Sequence, residues 1–72
     1  MKYTPKMARQ FAGYTQMEMA KKLGISRDTY RRIEANPETA TISQGKKIAA
    51  VTGISFDAIF FGTDSTKSRV TA

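Results

Sequence analysis

Gln16-Met17-Glu18-Met19-Ala20-Lys21-Lys22-Leu23-Gly24-Ile25-Ser26-Arg27-Asp28-Thr29-Tyr30-Arg31-Arg32-Ile33 is the stretch on which the fold turns. Apolar residues fall at Met19, Leu23, Ile25, Tyr30 and Ile33, while Ala20 is small and Gly24 tolerates positive φ. Two short helices meeting at a steep angle need that combination. They require a small residue at the crossing, no Cβ at the corner, and an apolar inner face that docks on a third element. Thr15 precedes the first helix with Glu18 three residues on, the spacing of a capping box. Ser26 caps the second helix only two residues after Gly24.

Working outward, Thr4-Pro5 is a helix start, since Thr offers a capping oxygen and Pro suits the first helical position. A helix over about residues 5 to 12 follows, with Met7, Ala8 and Phe11 on one face and Gly13 as its stop. Beyond the central pair, Asn36-Pro37 marks a loop from Ala35 to Ala40, because proline disfavours helical geometry in the residue before it. Thr41 and Gln44 repeat the capping-box spacing and open a fourth helix with Ile42, Ile48, Ala49 and Val51, closed by Gly53. Ser55 caps a predicted fifth helix, Phe56 to Phe61, which stops at Gly62. Nothing alternates with period two for long enough to predict a strand. Residues 63–72 are small and polar without periodicity, and are expected to form a flexible tail behind a domain over residues 1–62.

Composition narrows the function classes. At 72 residues the chain holds one domain, and a chain of that length buries only about 60% of its unfolded surface. It has no cysteine and no histidine, so disulfides, the usual zinc ligands and the commonest general base are missing. No cofactor is expected. No cluster of acid, base and nucleophile suggests an enzyme or a small-molecule substrate. No apolar run is longer than Ala58 to Phe61, far below the roughly 20 residues of a membrane span. With no secretory pattern at Met1-Lys2-Tyr3-Thr4-Pro5, a cytoplasmic location is the expectation. Twelve Lys and Arg against six Asp and Glu give a net charge of +6, a field suited to a polyanion.

The central pair reads as a helix-turn-helix over residues 16–33, and its second helix is the one that enters the major groove in that motif. Arg27, Asp28, Arg31 and Arg32 occupy the outer side of that helix. An arginine fork fits the O6 and N7 acceptors of guanine, and a carboxylate accepts from cytosine N4. A solvated face is the alternative for the arginines. For Asp28 it is a charge favourable to the helix N-terminus and paired with Arg32.

The run Tyr14-Thr15-Gln16, Met19 to Arg27, Thr29-Tyr30 and Arg32-Ile33-Glu34 resembles the Cro/C1-type family of phage repressors and related bacterial regulators. Ile48-Ala49 and Thr52 to Asp57 resemble that family's fourth and fifth helices, so the likeness spans about residues 5 to 62. The size and opening of the chain also resemble the small modulator-of-repression proteins of temperate phages. The resemblance implies an all-α, compact five-helix, lambda-repressor-like DNA-binding domain. It implies that Gln16 touches a phosphate and braces the recognition helix. Arg27 and Asp28 would face base edges, Arg32 would follow one turn later, and Arg31 would reach groove or backbone. Thr29 and Asn36 complete the set expected to meet DNA or a partner. Arg9 and Glu34 match an internal ion pair of the family, and Lys46 or Lys47 would support backbone contact.

Two departures from the family pattern stand out. The loop reads Glu34-Ala35-Asn36-Pro37-Glu38, with an acid where a cation would help and a proline in place of an amide donor. In the fourth helix, Gly45 and Lys46 stand where apolar residues are usual, which thins the core or opens a shallow groove for another molecule. Phe60 or Phe61 is expected to be left for dimerisation or a partner. Three readings follow. In the first, a repressor-type regulator in phage lysis–lysogeny control binds double-stranded operator DNA, as a homodimer or with a cognate phage repressor. In the second, a modulator docks on that repressor protein through the same face. The third is an antitoxin, disfavoured by a tail without a long apolar segment.

Overall fold

The computed structural model describes residues 2–62, so the tail expected over residues 63–72 lies outside the described part. Its helices are α1 (Pro5–Ala12), α2 (Gln16–Leu23), α3 (Arg27–Ala35) and α4 (Ile42–Thr52). Each begins where the sequence places a cap: Thr4, Thr15, Ser26 and Thr41 all accept a hydrogen bond from the amide three residues on. The Thr15/Glu18 and Thr41/Gln44 pairs are complete capping boxes, each filling two otherwise orphaned amide donors. Gly24 turns the corner between α2 and α3 at φ +73°, a conformation a Cβ would strain.

The core lies where the four helices meet. Ala8, Met19, Ala20, Leu23, Tyr30, Ile33, Ile48, Ile54 and Ile59 are buried together. Each large aliphatic side chain among them contributes about 1.5–3 kcal/mol by leaving water. Thr52 is the polar member, and its hydroxyl donates back to the Ile48 carbonyl at 2.8 Å.

Four expectations are corrected. The fifth helix is absent, leaving four α-helices among the described residues: only a 3-10 turn, Phe56–Ala58, forms after Ser55. Ile59 instead extends to bury its side chain, and the segment pairs in parallel with Tyr3 through Tyr3 N to Ala58 O (2.8 Å) and Phe60 N to Tyr3 O (2.7 Å). Burying Ile59 and pairing two backbone groups outweighs continuing one short helix. In α1 the inner face is Pro5 and Ala8, while Met7 and Phe11 point to solvent. The Ala35–Ala40 loop is more regular than expected, because α3 includes Ala35 and Pro37–Thr39 forms a 3-10 turn. Finally, Gly45 does not open a groove for another molecule. The stacked rings of Phe56 and Phe61, 5.6 Å apart, cover it, and a Cβ there would lie 2.8 Å from Phe56 and 3.3 Å from Phe61.

Candidate nucleic-acid interface

The outward face of α3 follows from how its inward face is held. Tyr30 and Ile33 are buried and fix the helix against the core. Successive residues turn by about 100° around a helix, which puts Asp28, Arg31 and Arg32 on the arc opposite those two and Arg27 on the flank next to Tyr30. All four are exposed. Arg31 Nη1 lies 3.8 Å from Asp28 Oδ1, so Asp28 pairs three residues on rather than with Arg32. Those side chains are 59% and 89% exposed, and such a surface pair contributes roughly 0–1 kcal/mol, too little to lock either group. The exposed side of α3 therefore offers three guanidinium groups and one carboxylate to a ligand.

The other candidates divide. Thr29 is half-buried and belongs to the cap: its amide donates to Ser26 Oγ at 3.1 Å, and its own Oγ1 accepts from Ser26 Oγ at 2.9 Å. Asn36 is exposed at the end of α3. Its amide donates to the Arg32 carbonyl, and its carbonyl accepts from the amide and hydroxyl of Thr39 at 2.9 Å each. Lys46 and Lys47 are exposed on α4.

Gln16 is half-buried at the start of α2, and its Nε2 donates to Glu34 Oε1 at 2.9 Å, tying α2 to the end of α3. Arg9 reaches the same carboxylate from α1, with Nε to Oε2 at 2.6 Å and Nη2 to Oε1 at 3.3 Å. Its Nη1 donates to the Tyr14 carbonyl at 2.9 Å, closing the link before α2. Burial alone would raise the Glu34 carboxyl. The donors around it and the Arg9 charge outweigh burial and hold it below its ordinary value. The bond to Glu34 raises the Arg9 guanidinium in turn, against a smaller opposing effect of burial. One charge cluster thus fixes three helices relative to one another, and with them the tilt of α3.

Tyr30 adds a feature the sequence did not reveal. It reads as core by spacing, yet its buried hydroxyl faces this cluster with no partner in hydrogen-bond geometry. It remains close enough to Glu34 and Arg9 to feel their charges. Burial first, then Glu34, push the phenol far above its ordinary range, so it stays neutral.

A small all-α scaffold with a glycine corner and an outward arginine face defines a helix-turn-helix protein. The profile of the helix-turn-helix family matches residues 6–59, and the chain belongs to that family, in its Cro/C1-type form. Among curated proteins, antitoxin HipB of Escherichia coli strain K12 is 44% identical over 43 residues, 60% of this chain. The aligned stretch spans about half (49%) of that relative's length. No solved structure matches. Among the described residues, no helix is long and apolar enough to cross a membrane.

Proposed function

We propose that this protein is a sequence-specific DNA-binding transcriptional regulator that reads an operator in the major groove through α3. One observation carries the reading: Arg31 and Arg32 project from a helix whose opposite face is immobilised by Tyr30 and Ile33, with exposed Arg27 on the adjoining flank. Arg27 and Asp28, nearest the N-terminus of α3, meet base edges, and Arg32 follows one turn on. Gln16 contacts the flanking phosphate while its amide group stays on Glu34, and Asn36 approaches the backbone from the far end of α3. Thr29 acts through the cap that starts the helix. A palindromic operator would be bound by two copies, and the likeness to phage repressors supports a role in lysis–lysogeny control.

The test is a fluorescence-anisotropy titration of the protein against DNA fragments from around its own gene, at several salt concentrations. Arg27→Ala or Arg32→Ala should weaken specific binding by about 1–3 kcal/mol and relax specificity at one base pair. Affinity should fall steeply with salt as counterions are released. Binding indifferent to both would refute the reading.

A protein ligand on the same face is the second reading. Glu38, an exposed acid three residues beyond α3, favours it because it repels phosphate, and so does the likeness to a protein that its name describes as an antitoxin. Operator binding that appears only when a cognate repressor or toxin is added would establish it over the first.

A further inference from the structure

The exposed apolar residues of the N-terminal part gather on one flank of α1. Phe11 is 69% exposed and Met7 38%. Tyr3, Met7 and Phe11 are spaced four apart, and the Tyr3 and Phe11 rings lie 6.1 Å apart at 59°. The Tyr3 backbone is clamped between Ala58 and Phe60, with Ile59 as its paired residue and the Phe60 side chain alternating to the other side. That pairing also holds Tyr3 in place, so the stripe is preorganised, and association on it loses little conformational entropy. Scattered surface apolar residues mean little, whereas a contiguous set marks an interaction surface.

On the N-terminal segment itself the charge is one-sided. Residues 1–17 contain no Asp or Glu. Arg9 is taken up by Glu34, while Lys2 and Lys6 are exposed, with polar Gln10 between Lys6 and the apolar side chains on α1. A second copy of this face would set these lysines against their own kind. Met7 and Phe11 each sit two residues from Arg9, about 200° around the helix. Since Arg9 points to Glu34 of α3, the stripe faces away from the arginine arc.

We propose that Tyr3, Met7 and Phe11, flanked by Lys2 and Lys6, form a docking surface for an amphipathic helix of a partner protein whose apolar anchors are flanked by Asp and Glu. Apolar side chains one helical turn apart would lie along the stripe, and the flanking acids would meet the lysines. This surface leaves α3 free, so one molecule can hold DNA and a protein together.

Two synthetic helical peptides with identical Leu and Phe anchors, one flanked by Glu and the other by Lys, serve as probes in a ¹⁵N NMR titration of the full chain. The Glu peptide should saturate and shift amides of residues 3–11 and 58–60, leaving α3 unmoved. Met7→Ser combined with Phe11→Ser should weaken it about tenfold or more. Lys2→Glu with Lys6→Glu, both at exposed positions, should transfer the preference to the Lys peptide, with circular dichroism verifying the fold of every variant. Arg27→Ala should leave peptide binding unchanged, which separates this result from the DNA reading. Equal binding of both peptides, shifts centred on α3, or no saturable binding would overturn the proposal. So would self-association abolished by Phe11→Ser, which makes the occupant a second copy, or preferential binding to phosphatidylglycerol vesicles, which makes it a membrane.

Discussion

Cutting one side of the Arg9–Glu34 pair should be the most damaging polar substitution in the domain. The two side chains are 11% and 6% exposed, so neither charge regains much water when its partner is removed. Breaking a buried pair from one side costs about 3–5 kcal/mol. Arg9 keeps its bond to the Tyr14 carbonyl, so about 2–4 kcal/mol is expected for Glu34→Leu. That variant also strands the Gln16 amide. Arg9→Met leaves the carboxylate with Gln16 as its hydrogen-bonded side-chain donor and should cost a similar amount. A domain of this size has only about 3–9 kcal/mol of stability, so each single variant should lower the melting temperature by about 10–25 °C. The double variant should recover most of the loss, because two apolar groups leave no charge buried without a partner. Urea denaturation followed by circular dichroism, run as a double-mutant cycle, measures the coupling. Single variants within about 0.5 kcal/mol of the parent, or a double variant that simply adds their losses, would refute this account of the cluster. The pH dependence supplies an independent check. Glu34 is held below its ordinary value of 4.5, so its stabilisation is complete above that pH. It is lost as pH falls through the lower folded-state value, and the double variant should lack this acid-side loss.

Two further substitutions probe the C-terminal segment by the same denaturation assay. Gly45→Val should destabilise by about 1–3 kcal/mol, because its Cβ would start 2.8 Å from Phe56, although replacing glycine inside a helix ordinarily stabilises. Adding Phe56→Leu should recover part of that loss, and a Gly45→Val protein more stable than the parent would contradict the packing. Gly62→Ala should cost on the order of 1–2 kcal/mol through its φ of +92° alone. Its Cβ would also lie 2.6 Å from Glu38 Cβ, so Glu38→Gly should soften the effect.

How far the sequence reveals this molecule depends on how local the deciding interaction is. The caps at Thr4, Thr15, Ser26 and Thr41 act within three residues, so helix starts are legible from spacing alone. The outer arc of α3 is legible for the same reason, since buried Tyr30 and Ile33 dictate what faces out. Phe11 was misassigned because helical spacing says which residues share a face, and only the packed neighbours say whether that face is covered. Here Pro5 and Ala8 bring α1 close to the core, and Phe11 stays at its rim. The fifth helix failed as a prediction because Ile59 answers to Tyr3, 56 positions earlier, a pairing no local pattern reports.

The two departures from the family pattern, the loop around Glu38 and the glycine at 45, looked unrelated in the sequence. They meet in the fold. Phe56 and Phe61 lie over Gly45, and Gly62 packs against the backbone and Cβ of Glu38. A 3-10 turn and the extended residues after it therefore replace the fifth helix, and they need one position on α4 without a Cβ and a tight turn after α3 to lie flat. Pro37 supplies that turn by starting the 3-10 segment in which Glu38 sits. Gly45 is thus explained by packing within the chain and no longer argues for an external ligand. Glu38 is different: its backbone answers to Gly62, but its exposed carboxylate still lies beside the end of α3. Of the sequence departures, that charge and the amide that Pro37 lacks continue to weigh against a phosphate backbone there. The contest between DNA and a protein on α3 therefore narrows to whether three arginines outweigh one acid and one missing amide at its edge.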